Sequence, residues 1–307
     1  MSTTNQKNIS LGVGLAVLAT IIWSGNFIIA RKVISEIPPI SLAFYRWLTA
    51  TIIIFFFARN YFVNELRLVK EHFIYFLLAA ITGISMFNTF VYLAGHSTTA
   101  INMAILGTCT SPVISVILAR IFLKEKITGL RILGMAVTII GILLLLSKGH
   151  LERLLTFSFT KGDWWVLSAA LSFAIYNTMV KKKPVGIHPI NFLFVIFLIG
   201  TLVLLPFYLF EMKDVGGFAI NSSSVFSILY IGIGASVFCF WIWNISISHL
   251  GAGTTALFGN LIPVFSTIEA VIFLHEKISS IHVISFSIVV IGLIIANLKK
   301  RKIGNSI

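Results

Sequence analysis

Apolar residues run along this chain in blocks of roughly 20, broken by short clusters of charge, glycine or proline. A bilayer core of about 30 Å is crossed by about 20 apolar residues in a helix, so each block is long enough for one crossing. The breaks predict helices near 11–35, 38–58, 72–94, 98–123 and 128–147, then near 162–182, 189–210, 223–247, 251–274 and 279–298. Ile132 to Leu146 and similar stretches lack the period of two that barrel strands require. The expected fold class is an all-α integral membrane protein with ten transmembrane helices. The longest linkers, 59–71, 148–161 and 211–222, are too short to house a soluble domain.

The blocks also repeat. Residues 112–126 read PVISVILARIFLKEK and residues 263–277 read PVFSTIEAVIFLHEK. Pro112 aligns with Pro263, Phe122-Leu123 with Phe273-Leu274 and Glu125-Lys126 with Glu276-Lys277, and Gly141 falls on Gly292 at the same spacing of 151. Earlier in each half the spacing is 150, as in Gly12 with Gly162, Lys32 with Lys182, Pro39 with Pro189 and Phe44 with Phe194. Residues 11–147 and 162–298 thus form two five-helix repeats. Five is odd, so one pattern enters the membrane from opposite sides in the two halves. Such an inverted repeat lets one half rock against the other about a midplane site.

Composition agrees with lipid as the solvent: the 307 residues are 58% hydrophobic and 11% charged, with a mean hydropathy of +1.00, too apolar for one water-soluble globule. A net charge of +13 would suggest nucleic acid in a soluble protein. Here the basic residues sit at the ends of apolar blocks instead of forming one face, so lipid is the expected partner and nucleic acid is not. The denser clusters, Arg120, Lys124, Lys126 and Arg131, Lys181 to Lys183, and Lys299 to Lys302, fall on one side. The sparser Arg31, Lys32, Lys148, Arg153, Lys161, Lys213 and Lys277 fall on the other. Basic residues are retained inside, which predicts cytoplasmic N- and C-termini in a multi-pass cytoplasmic membrane protein. The first apolar run continues to Ile34, too long for a cleavable signal, and reads as a retained span. Cys109 and Cys239 lie mid-block, so neither a disulfide framework nor a metal site is expected, and no cofactor is implied.

Trp23-Ser24-Gly25-Asn26-Phe27 in span 1, Arg46 in span 2 and the proline-to-Leu-x-Glu blocks closing spans 4 and 9 resemble the EamA-type drug/metabolite transporters over essentially the whole chain. The resemblance implies two EamA domains, exporter-like activity towards amino acids or other small metabolites, and a central cavity lined mainly by spans 1, 3, 4, 6, 8 and 9. The sequence departs from the family pattern at Ser24, where glycine is common, and at Phe173, which stands where the first half has Trp23.

Polar groups inside a span are costly in lipid and become the candidate pathway. Two formal charges, Arg46 and Glu269, lie well inside spans at a similar depth, roughly 10 Å from the outer end by helical rise. Glu269 replaces Leu118 of the first half; its carboxylate suits a cationic group or a proton, or else a bond between helices. Arg46 suits a structural role, pairing Glu269 or capping carbonyls, or an anion site. At 100° per residue Ser85, Asn88, Tyr92 and His96 form one polar stripe in span 3. Ser168-Ser172-Tyr176 in span 6 and Ser236-Trp243 with Asn244 in span 8 make two more. Such rings and amides suit organic solutes, interhelical bonding being the bland alternative. Asn26, Asn102 and Asn260 add amides in spans 1, 4 and 9. On a straight helix Asn260 and Glu269 point about 180° apart. Pro263 would have to bend span 9 for both to face one cavity, and Pro112 is its counterpart in span 4. Glu125-Lys126 and Glu276-Lys277, followed by Thr128 and Ser279, read as charged turns or as gating pairs.

A membrane channel, a signalling subunit and an intramembrane enzyme are the alternatives. The sequence has no HExxH, no GxSxG and no pair of intramembrane aspartates, and Gly83-Ile84-Ser85 near His96 is a weak serine site. A secondary transporter of small organic solutes is the expectation, with no enzyme activity. Proton exchange, counter-solute exchange and facilitated diffusion all remain open as the coupling mode.

Overall fold

The computed structural model describes residues 3–33, 36–98, 100–147, 149–150, 152–155, 159–274 and 280–298, with backbone alone at several positions including 26–33, 100–105 and 108–109. Helices joined by short turns make up these residues, without a strand among them. In chain order the first half holds α1 (Thr3–Val33), α2 (Pro39–Glu71), α3 (Phe73–Ala80), α4 (Phe87–Ser97), α5 (Ala100–Leu123), α6 (Gly129–Leu146) and the short α7 (Glu152–Leu155). The second half holds α8 (Lys161–Lys181), α9 (Pro189–Val215), α10 (Ser222–Leu229), α11 (Cys239–Leu250), α12 (Ala252–Phe258), α13 (Ile262–Leu274) and α14 (Ser280–Asn297). A π-helical segment, Ile81–Met86, fuses α3 to α4, and a second, Tyr230–Phe238, fuses α10 to α11. A 3₁₀ turn at Gly259–Leu261 joins α12 to α13.

Among the described residues, seven stretches are long and apolar enough to cross a membrane: Asn8–Gly25, Pro39–Glu71, Phe73–Ser97, Gly129–Leu146, Pro189–Val215, Ser222–Leu250 and Ser280–Asn297. The chain is therefore a multi-pass helical membrane protein. Three of the ten sequence-predicted spans fall outside this set. The 98–123 block contributes the shorter Thr110–Leu123. The 162–182 block is α8, where Lys161, Asp163 and Lys181 join buried Ser172, Asn177 and Thr178. It tolerates that polarity because α4, α5, α11 and α12 pack around it in place of lipid. The 251–274 block is split by its 3₁₀ turn. A further difference is length: α2 and α9 continue past the predicted ends at 58 and 210, as far as Glu71 and Val215. Residues 59–71 are thus the polar end of a helix, where Arg67 and Glu71 pair at 2.8 Å one turn apart, and not a linker.

Helix packing keeps the same pattern when the halves are exchanged. Against α2 lies α9, and against α6 lies α14; α5 packs on α8 as α13 packs on α1; α4 packs on α8 as α11 packs on α1; and each π segment packs on the opposite half's α2 or α9. Positions 150 apart in sequence touch directly. Thr51 and Thr201 share a hydroxyl hydrogen bond of 3.1 Å, the Trp47 and Phe197 rings lie 4.9 Å apart, and Trp23 and Phe173 lie 6.0 Å apart. The α6–α14 crossing is closed by small residues. A side chain on Gly292 would strike the Thr138 backbone nitrogen, and one on Gly141 would strike that of Val289.

The antiparallel α2–α9 pair is tied at both ends by a glutamate from the neighbouring helix. Pro39 opens α2 without a side-chain cap of its own, and Glu211 of α9 accepts the exposed N–H groups of Ile40 (3.0 Å) and Ser41 (2.6 Å) together with the Ser41 hydroxyl (2.7 Å). At the other end Glu65 of α2 accepts the His188 N–H at 3.1 Å and the Asn191 side-chain amide at 2.7 Å, where α9 begins. A carboxylate at a helix N-terminus satisfies orphan donors and meets the positive end of the helix dipole. The Tyr61 ring stacks on His188 at 3.7 Å beside the second cap. Burial lowers the Lys183 ammonium below its usual range, and the charge of Glu65 opposes that shift. Glu65→Gln and Glu211→Gln should each cost about 1–2 kcal/mol and, being far apart, should add. Thermal unfolding in detergent reads this as two additive drops in Tm; unchanged Tm in both variants would reject the caps as stabilising.

Candidate functional site

The centre of the molecule is aromatic. Trp23 of α1 lies 4.9 Å from Trp243 of α11 and meets Phe173 and Phe240 edge-on, and Phe173 stacks on Phe87 at 4.4 Å. Trp243 and Tyr176 are buried, and each spends its polar atom on an amide of the second half. The Trp243 indole donates to Asn177 Oδ1, and the Tyr176 hydroxyl donates to Asn244 Oδ1, both at 2.9 Å. The Nδ2 groups of Asn177 and Asn244 are then buried donors without an acceptor, and so is Nδ2 of Asn88 on α4. Three amide donors left open in a low-dielectric core are costly to the fold.

Arg46 is buried, and its guanidinium is committed. Nε donates to Ser236 Oγ (2.6 Å), NH1 to the Tyr92 hydroxyl (3.0 Å) and NH2 to the Ala235 carbonyl (3.1 Å), while the plane lies over its neighbour Trp47. The π segment presents this receptor. In its widened backbone Ser236 reaches the carbonyl of Ile231 at 2.8 Å, and the Ala235 carbonyl takes both Arg46 and the Trp23 indole, the latter at 2.8 Å. The first half's π segment falls at the matching place, and there Ser85 donates to the Gly200 carbonyl of α9 at 3.0 Å. The position matching Arg46 in the second half is Ile196, so the arginine is present once.

Glu269 does not pair with Arg46, contrary to one option the sequence left open. The ion pairs among the described residues are Arg67–Glu71 and Arg131–Glu125. Glu269 instead accepts the Ser24 hydroxyl on Oε1 at 2.7 Å, and its other oxygen, Oε2, is buried without a donor. Tyr230 packs directly on Gly25, where a side chain at position 25 would strike the phenol oxygen and come within 3.8 Å of Oε2. The phenol proton goes to the Ile22 carbonyl at 3.1 Å.

The remaining candidates separate. Asn88, Tyr92 and Ser172 are buried in the core, and Ser172 donates to the Ser168 carbonyl of its own helix. His96 is exposed at the end of α4. Asn260 is buried in the 3₁₀ turn with Oδ1 unpartnered, and the helix break sits there, just ahead of Pro263. Pro112, by contrast, lies inside one uninterrupted helix, α5. The side chains of Asn26 and Asn102 lie outside the described residues, as does the turn holding Glu276, Lys277 and Ser279. The matching turn is described: Glu125 accepts the Ala252 N–H at 3.1 Å, Arg131 lies 3.5 Å from Glu125 and bonds Thr254, and Thr128 caps α6. It fastens the end of α5 to the start of α12 in the other half.

Sequence reasoning passed over Asn177 and Tyr230, although Asn177 sits one residue beyond a stripe already marked. It also passed over Glu65 and Glu211, which look like ordinary span-end charges because their partners are distant in sequence. The geometry separates Arg46 from Glu269. Arg46→Met removes three hydrogen bonds and leaves the Tyr92 hydroxyl without its partner, and should lower stability by about 2–3 kcal/mol, whereas Glu269→Gln, which keeps its bond to Ser24, should leave it nearly unchanged. Thermal unfolding of both variants checks this, and equal losses would overturn the division of roles.

Comparison with known proteins agrees with a transport role. The model of the EamA-like transporter family matches residues 10–147 and 160–298. An uncharacterized transporter of Bacillus subtilis (strain 168), YyaM, is 27% identical over 94% of this chain and 94% of its own. A protein of Escherichia coli (strain K12) named probable amino-acid metabolite efflux pump is 24% identical over 92% of this chain and 93% of its own. One of Streptantibioticus cattleyicolor, named probable terminal-alkyne amino-acid exporter, is 26% identical over 63% and 62%. A crystal structure with 16% identity superposes with a TM-score of 0.77, covering 95% of this chain and 96% of that one, which shows a shared fold. The chain belongs to the EamA-like transporter family.

Proposed function

We propose that the protein is a secondary carrier, working as an exporter, for small organic solutes such as amino acids or related metabolites. Its two repeats, 11–147 and 162–298, would form ten spans inserted in opposite senses, with both termini cytoplasmic, and alternate access by rocking about the α2–α9 contact. The exchange-symmetric packing and the direct meeting of Thr51 with Thr201 and Trp47 with Phe197 support that reading. So do the efflux pump and the exporter among the relatives, for direction and solute class.

One observation carries the pathway: Asn177 and Asn244, which bond Trp243 and Tyr176, keep buried amide donors without acceptors, as does Asn88, next to Phe87 in the chain, and Glu269, bonded to Ser24, keeps a buried oxygen without a donor. A solute with complementary polar ends and an apolar body satisfies these groups, its body against the rings of Trp23 and Trp243. Asn26, Asn102 and Asn260 are assigned to the same pathway from the sequence.

Counterflow in proteoliposomes tests the carrier. A labelled amino acid outside should accumulate transiently against an excess of the unlabelled one inside; simple equilibration without overshoot would indicate a channel. If the coupling ion is a proton held on Glu269, Glu269→Gln should flatten the pH dependence of transport between about pH 5 and 8, and an unchanged profile would reject that role.

A further inference from the structure

We infer that the wall formed by Ser24, Gly25, Tyr230 and Glu269 is the receptor for a primary ammonium group, so that the carrier selects solutes bearing a free amine. The inference rests on the carrier reading and names the chemistry of one end of its solute.

Two oxygens face this spot with acceptor capacity and no protein donor. Glu269 Oε2 is buried and unpartnered, while Oε1 lies 2.7 Å from the Ser24 hydroxyl, whose one proton is shared with the Ile21 carbonyl. The Tyr230 oxygen has given its proton to the Ile22 carbonyl, so towards Gly25 it offers lone pairs only. The phenol packs directly on Gly25, and a side chain at position 25 would strike its oxygen and come within 3.8 Å of Oε2, so the two oxygens face the same side of Gly25. What such a site lacks is a compact group with several N–H donors and a positive charge. An alkylammonium has three donors on a tetrahedral nitrogen. A quaternary ammonium has none, and an anionic head is repelled.

The nearest fixed cation does not supply the missing charge. Arg46 spends its three nitrogens on Ser236, Tyr92 and the Ala235 carbonyl, the same carbonyl that holds the Trp23 indole. Glu269 takes part in no ion pair among the described residues. The glutamate belongs to the second half alone, since Leu118 occupies its place in the first.

The test uses the full-length protein in detergent and in proteoliposomes, with L-leucine, leucinamide, N-acetyl-L-leucine and 4-methylpentanoate as probes. Affinity is read from tryptophan fluorescence, Trp23 adjoining Ser24, and from inhibition of counterflow. The two amines should bind at least about tenfold better than the acetylated and deaminated analogues, the loss expected of one charge-assisted hydrogen bond. Glu269→Gln should abolish that preference, and Tyr230→Phe should reduce it about threefold, with no more loss of Tm than its one bond to the Ile22 carbonyl explains. Equal binding of the acetylated and free amines, an undiminished preference in Glu269→Gln, or binding of neither amine overturns the assignment. Counterflow of any solute in the wild type that ignores the amine leaves the carrier standing and removes the ammonium site alone.

Discussion

Away from water, a polar group has no partner except another part of the same protein. That constraint explains why the described backbone is helical apart from short connections. It also explains the less regular features. The proline-opened end of α2 borrows Glu211 from α9, and the start of α9 borrows Glu65 from α2. The widened π turn at Tyr230–Phe238 finds its complement in Arg46 and Trp23. Most of these bonds run between halves, so neither half satisfies its polar groups alone.

The groups left unsatisfied under so strict a rule gain meaning from it. Asn88, Asn177, Asn244 and Glu269 keep open donors or acceptors, in a chain of the EamA-like transporter family, and Asn177 and Asn244 do so while bonding Trp243 and Tyr176. Of the symmetric contacts, Thr51 and Thr201 bond each other, and α6 and α14 meet through Gly141 and Gly292. The halves differ at Arg46 against Ile196, Glu269 against Leu118 and Trp23 against Phe173. Arg46 and Trp23 meet at the Ala235 carbonyl, and Glu269 bonds Ser24, the residue after Trp23.

Much of this could be read from the sequence because hydropathy and repetition are local signals. The apolar blocks, the spacing of 150 to 151 and the polar stripes of spans 3, 6 and 8 all lie within short windows. What escaped depends on distant partners. Nothing near Glu65 announces that it caps a helix starting at residue 189, and nothing near Arg46 shows that it will prefer a serine and a carbonyl of a π turn to Glu269. The angular stripe through Ser85 assumed 100° per residue, whereas the π segment ends between Ser85 and Asn88 and resets the phase. Helix ends were misjudged at 58 and 210 because hydropathy marks the edge of the lipid and not the edge of the helix.

Opposite insertion of the two halves is the claim on which alternating access rests, and labelling at equivalent loops addresses it directly. Glu36 and Val185 are exposed, one in each half's connection between its first and second long helices. With Cys109 and Cys239 replaced by alanine, Glu36→Cys and Val185→Cys would be treated in intact cells with a membrane-impermeant maleimide. Opposed halves predict that position 36 reacts from outside and position 185 only after permeabilisation. Reaction of both from the same side would contradict the inverted repeat and the carrier mechanism built on it.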